Sequence, residues 1–113
     1  MYNFDNQIYN QILNTFKIYN DKIIDNVLMF APIPLLAETI KFDLSTNVIR
    51  STLLLTEAQV ELFNDLRSSV EVTNFDPKPR EKELQFCAID FSFKVSSLDE
   101  VKKFLSLYNF ELK

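Results

Sequence analysis

The stretch Leu84–Val95, LQFCAIDFSFKV, decides the predicted fold. From Cys87 onward apolar residues alternate with polar ones, so the apolar side chains share one face of a β-strand. Three polar residues are then expected to face water, namely Asp90, Ser92 and Lys94. The start of the stretch breaks the alternation with three apolar residues, Leu84, Phe86 and Ala88. Either a β-bulge shifts the register or both faces are covered at that end, and we favour the second interpretation.

Size and composition predict one domain spanning residues 1–113. The chain is 47% hydrophobic with eleven Phe, ample for a core, and its net charge of -4 is spread along the sequence. This balance argues against a duplex-binding protein, whose affinity rests on clustered cations. A single cysteine makes no internal disulfide, and no apolar stretch approaches the ~20 residues of a membrane span. We therefore expect a soluble cytoplasmic protein that does not associate with membranes.

The sequence contains no glycine and no histidine. Glycine-dependent phosphate loops and histidine-based catalysis or metal binding are thereby excluded, and we expect no enzyme, no cofactor and no metal. Cys87 is interpreted as a structural thiol, because no histidine can activate it. The pKa of Asp90 would be raised if both strand faces are covered. Glu57, Glu61 and Asp65 lie four residues apart, and a solvated helix face is favoured over a metal site.

Helical periodicity runs from Asp5 to about Leu28 and predicts a long amphipathic helix within residues 1–30. A break near residues 20–21 is an alternative, and Pro32 should end the helix. One stripe is predicted either to pack on the protein's own sheet or to bind a partner, including a second copy of the chain. Its members are Tyr9, Ile12, Phe16, Tyr19 and Ile23.

The rest of the sequence predicts strands and helices in alternation. Strands are predicted at residues 36–44, 48–55, 70–76, 84–95 and 110–113, and helices at 56–68 and 96–108. From Val48 onward this order is the ferredoxin-like βαββαβ arrangement. We therefore predict an α+β fold with a ferredoxin-like antiparallel sheet over residues 48–113, preceded by the long N-terminal helix and an extra strand. The run Leu53–Leu55 is interpreted as buried on both faces.

Phe86 and Phe91 lie near the positions where the third strand of an RNA-recognition module presents aromatic residues. The predicted fold resembles that family in outline. Ala88 takes the place of a further aromatic residue, and no glycine precedes the strand. The outline alone does not carry a function over, because one fold serves many functions. An alternative function is binding of single-stranded nucleic acid through the open sheet face and the basic residues of a predicted hairpin tip. Those residues are Lys78, Arg80 and Lys82, although neighbouring carboxylates cancel most of their field.

The function predicted first is that of a small non-enzymatic protein that binds another protein, as an inhibitor, adaptor or assembly subunit. It rests on the missing catalytic groups and on more apolar surface than one small core requires. A homodimer through the N-terminal helix is the specific form expected. The richness in Asn, Ile, Lys, Phe and Tyr fits an AT-rich coding sequence, so a viral or mobile-element origin, with location in an infected host cell, is part of this hypothesis.

Overall fold

The computed structural model describes residues 7–36, 39–77 and 87–113. The fold is α+β, with three helices and a six-stranded antiparallel sheet of order β1-β2-β3-β4-β6-β5. The strands are β1 Tyr19–Ile24, β2 Val27–Ala31, β3 Ile40–Asp43, β4 Val48–Leu55, β5 Glu71–Pro77 and β6 Cys87–Lys94. The helices are α1 Gln7–Thr15, α2 Glu57–Ser69 and α3 Leu98–Leu105, and α3 continues into a 3-10 turn at Ser106–Tyr108.

Strand β6 pairs with β4 on one side and with β5 on the other. The predicted alternation is confirmed on its apolar side, where Ile89, Phe91 and Phe93 are buried. On the other side Lys94 is exposed, but the prediction for Ser92 was wrong, since it is only 7% exposed. The hydroxyls of Ser92 and Thr73 share a 2.6 Å hydrogen bond, which gives the buried Ser92 hydroxyl a partner. Leu84 and Phe86 lie outside the described residues.

The helices and the apolar side of the sheet form one core. Four aromatic contacts run through it in sequence, with ring centroids 4.9 to 5.7 Å apart, and join Phe63, Phe91, Phe93, Phe104 and Tyr108. Helix α1 packs against α3 in this same layer. The N-terminal helix therefore packs on the same side of the sheet as α3, and not on the opposite face of β6. We call that opposite, polar side of β3, β4 and β6 the outer face.

The predicted long N-terminal helix is replaced by a short helix and a β-hairpin. Helix α1 ends at Thr15, and the segment that follows it forms β1 and β2. The two strands are joined by Asp25 and Asn26, which have φ of 50° and 67°. Two left-handed residues give the tight turn that matches the twist of a hairpin, and Asp and Asn adopt this conformation more readily than most residues. The helical period is misleading here, because β2 is held as a strand by pairing with both β1 and β3, and a periodic pattern does not report pairing.

The predicted ferredoxin-like order is not reproduced. The segment 110–113 forms no strand of the sheet and makes a single bridge, Phe16 with Leu112. The position beside β4, where a closing strand would lie, is occupied by β3 in antiparallel pairing. The hairpin between β5 and β6 is confirmed as an antiparallel pair.

Local signals fix the later helices well. A capping box opens α2, where the Thr56 N–H donates to Gln59 Oε1 at 3.1 Å. Asn109, with φ of 53°, follows the 3-10 turn and ends the last helical segment as predicted. The triple Leu53–Leu55 is not buried on both faces, since Leu54 is 60% exposed.

The molecule is elongated, with principal extents of 49 × 28 × 24 Å. None of the helices in the described ranges has the length and apolar character needed to cross a membrane.

Candidate functional site

The predicted partner-binding stripe is divided between two elements and two environments. Ile12 and Phe16 are fully buried in the protein's own core, and Tyr9 packs against it while partly exposed. Tyr19 and Ile23 lie on β1 rather than on the helix. The five side chains therefore do not form one continuous helical surface, and any role in partner binding stays a prediction.

The predicted basic tip, Lys78, Arg80 and Lys82, lies outside the described residues. Cys87 is the first residue of β6. Asp90 lies on the outer face, partly buried, and its carboxylate accepts a 2.8 Å hydrogen bond from the Thr52 hydroxyl.

The acidic row on α2 consists of exposed residues, Glu57, Glu61 and Asp65. Within residues 7–36, 39–77 and 87–113, no three acidic, cysteine or histidine side chains come close enough to hold a metal ion.

A cleft that the sequence reasoning missed lies beside the C-terminal half of β4. It has a volume of about 420 Å³ and lies between the segment following β2 and the 3-10 turn. We call it the leucine cleft. Its apolar lining comes from Ile33, Leu35, Leu36, Ile40, Leu53, Leu54, Leu55 and Leu107. Leu35, which is 93% exposed, and Leu54, which is 60% exposed, both line this cavity.

The residues that line the leucine cleft divide by burial into a buried floor and an exposed rim. Leu53, Leu55 and Leu107 are buried and form the fixed part. At one side the hydroxyls of Ser51 and Tyr108 share a 3.0 Å hydrogen bond, which holds the ring of Tyr108 in place beside the cavity. Leu35 and Leu54 form the exposed rim.

A second, polar depression of about 720 Å³ lies on the outer face. Lys41 on β3 and Arg50 on β4 are direct cross-strand partners in it, and both side chains are exposed. Among the described residues no carboxylate forms a salt bridge with either cation. Like charges directly opposite each other destabilise a sheet, so this pair favours an anion nearby. We call this site the basic depression.

The leucine cleft and the basic depression are contiguous. Thr39, Ser51 and Thr52 line both of them. The rest of the basic depression is polar, with Asn74, Asp90 and Ser92 on its far side. An apolar recess thus adjoins a pair of cations across a short polar ridge.

The sequence carried partial signals for this site. The leucine pair at 35–36 and the leucine triple at 53–55 are visible, but their exposure depends on where β3 begins to pair with β4. Lys41 and Arg50 lie nine positions apart in the chain, and only the register of the β3–β4 pair sets them opposite each other. The register of two strands is set by their turn and is not encoded in the periodicity of either strand alone.

The chain matches no protein-family model, no curated protein and no solved structure.

Proposed function

We propose that this chain is a non-enzymatic protein whose function is to bind another protein, and that the leucine cleft is its binding site. The observation that carries the proposal is the exposed rim of that cleft, formed by Leu35 and Leu54. Binding hot spots are characteristically apolar side chains that enter pockets with a buried, well-packed floor.

The geometry of the cleft supports this proposal over a purely structural role. Leu35 contributes little to the core because most of its surface meets water. Burying one leucine side chain contributes about 1.5–3 kcal/mol, which this residue forgoes in the isolated chain. A partner that covers the rim would recover that free energy.

The decisive experiment places a photo-crosslinking amino acid at position 35 and irradiates the protein in its native cell. The matched control carries the same group in place of Leu62, an exposed leucine on α2 outside the cleft. We expect a crosslinked protein that is specific to position 35. Leu54→Thr, which makes the rim polar while keeping a residue suited to a strand, should suppress it.

Equal products at positions 35 and 62, or crosslinking that ignores Leu54→Thr, would contradict the proposal. Self-association is part of the same proposal and has its own readout, the molar mass of the purified chain in solution. A mass that stays that of one chain over a broad concentration range excludes it.

A second candidate function, binding of single-stranded nucleic acid, is favoured by one observation. Lys41 and Arg50 lie together on a sheet face that no helix of the described residues covers. Stacking platforms for bases require exposed aromatic rings, and Phe91, which lines the depression, is 2% exposed. Titration with an oligouridylate at low salt tests this function, and absence of binding removes it.

Two finer expectations belong to this proposal. The segment from β4 to α3 would be a ferredoxin-like half whose closing strand is replaced by β3. The protein would act inside cells, in the cytoplasm of a host in which a viral or mobile element is expressed. Neither expectation is needed for the leucine cleft to bind a partner.

A further inference from the structure

We infer that the partner is a protein segment of particular chemistry: an acidic stretch containing leucine or a similar apolar residue. Its apolar side chain would occupy the leucine cleft, and its carboxylates would lie over Lys41 and Arg50 in the basic depression. This inference rests on the proposed function and specifies the partner of the same site.

The first argument is continuity. Thr39, Ser51 and Thr52 belong to the walls of both cavities, so one extended segment that passes over this shared wall spans the apolar recess and the cations. Neighbouring residues of an extended chain alternate in direction. A segment with apolar and acidic residues close in sequence therefore fits the two cavities together.

The second argument is charge complementarity. Lys41 and Arg50 are paired across β3 and β4 in a chain whose net charge is -4. Cations held opposite each other repel, and a carboxylate between them converts that repulsion into attraction. Arg50 can also receive a carboxylate through two parallel hydrogen bonds.

The third argument favours a peptide over a small amphiphile such as a fatty acid. The ridge between the two cavities carries the hydroxyls of Thr39 and Thr52, and the amide of Asn74 lies beyond it. These donors and acceptors match the N–H and C=O groups of a peptide backbone. The Thr52 hydroxyl and the Asn74 amide N–H already donate to Asp90, but the side-chain oxygens of Thr39, Thr52 and Asn74 can still accept from peptide N–H groups. A hydrocarbon chain offers these acceptors no donor, which costs free energy on burial.

The test uses three short synthetic peptides of equal length, measured by fluorescence anisotropy. One carries two leucines flanked by aspartates and glutamates, the second has lysines in place of the acids, and the third has alanines in place of the leucines. At low salt we expect the acidic leucine peptide to bind about ten-fold more tightly than either of the others. Raising the salt should weaken it.

Protein variants locate the binding. Arg50→Glu should weaken the acidic leucine peptide by about ten-fold, because it replaces attraction with repulsion. Lys94→Glu makes the same change of charge on the same sheet face outside both cavities, and should weaken it less than Arg50→Glu does, because its charge lies farther from the bound carboxylates. Leu35→Ser should reduce affinity by about ten-fold, whereas Leu62→Ser on α2 should not.

Tighter binding of the lysine peptide, or equal effects of Arg50→Glu and Lys94→Glu, overturns the inference. If dodecanoate binds more tightly than the peptide and with the same dependence on Leu35, the ligand is an amphiphile. If an oligouridylate binds and its affinity depends on Arg50 but not on Leu35, the ligand is a nucleic acid. Crosslinking at position 35 without preference for the acidic peptide leaves the proposed function intact and overturns only the partner chemistry.

Discussion

The ionised carboxylate of Asp43 stabilises the turn between β3 and β4. The carboxylate accepts hydrogen bonds from the Ser45 hydroxyl at 2.6 Å, the Ser45 N–H at 2.9 Å and the Thr46 N–H at 3.3 Å. The bond from the Ser45 hydroxyl is the main reason that the pKa of Asp43 is lowered, against the opposing effect of partial burial. These bonds hold the turn between β3 and β4, and that turn sets the register that brings Lys41 opposite Arg50.

We therefore expect Asp43→Asn to lower the free energy of unfolding at neutral pH by about 1 kcal/mol. The lowered pKa of Asp43 means that the unfolded chain binds more protons in the acid range. Its stabilisation is full above the unfolded pKa of about 3.9 and is lost as the pH falls through the lower folded value. Urea unfolding of both proteins across this range measures the difference.

The matched control for this prediction is Asp65→Asn, at an exposed position on α2. It should change the free energy of unfolding little at any pH. A difference between Asp43→Asn and the unchanged protein that stays constant down to strong acid would contradict the prediction.

At the scale of elements, the hairpin of β1 and β2 gives the sharpest contrast between sequence and structure. Asn26→Ala should destabilise the protein by about 1–2 kcal/mol, because alanine is strained at φ of 67°. In a helix the same change would be stabilising, since alanine is the best helix former. The thermal unfolding temperature of the Asn26→Ala variant distinguishes a hairpin from a helix at this position.

Asn26→Gly and Asn14→Ala are the controls for this hairpin prediction. Glycine adopts the left-handed turn without strain, so the first should be tolerated. The second tests alanine at an exposed position inside α1, where it should be neutral or stabilising. An increase in stability with Asn26→Ala would show that the hairpin description is wrong.

Local signals predicted some elements closely and others not at all. Helix α2 was predicted within a residue because Thr56 and Gln59 supply a capping box, which acts over three positions. The hairpin was missed because its residues also satisfy a helical period, and only pairing with β3 decides between the two. The candidate site was missed because its walls come from separate parts of the sequence, the segment after β2, strands β3, β4, β5 and β6, and the 3-10 turn, which meet only in the folded chain.

At the scale of the whole molecule, the C-terminal segment ties the two ends of the described chain together. Lys17 N–H donates to the Glu111 carbonyl at 3.0 Å, and Lys113 N–H donates to that of Thr15 at 2.9 Å. The ring of Phe110 meets that of Phe16 edge to face at 5.2 Å. This segment was predicted as a strand of the sheet and instead secures α1 to the core.

Phe110→Ala should therefore lower the free energy of unfolding by about 1–2 kcal/mol, through loss of the ring contact and of buried area. Leu112→Ala, at a half-exposed position of the same segment, should have a smaller effect. Glu111→Gln removes the exposed ion pair with Lys17 and should change stability by less than about 0.5 kcal/mol. Chemical denaturation of the three variants ranks them, and equal losses would contradict the assigned role of Phe110.

The elongated outline, 49 Å in its longest dimension against 24 Å in its shortest, affects how the chain will behave on a sizing column. An elongated particle tumbles and diffuses more slowly than a sphere of equal mass, so it elutes early. The shift is small, because the radius of gyration of 14.0 Å is close to the ~13 Å of a compact domain of this size. Light scattering reports molar mass independently of frictional drag, so it is the measurement that should decide how many copies of the chain associate in solution.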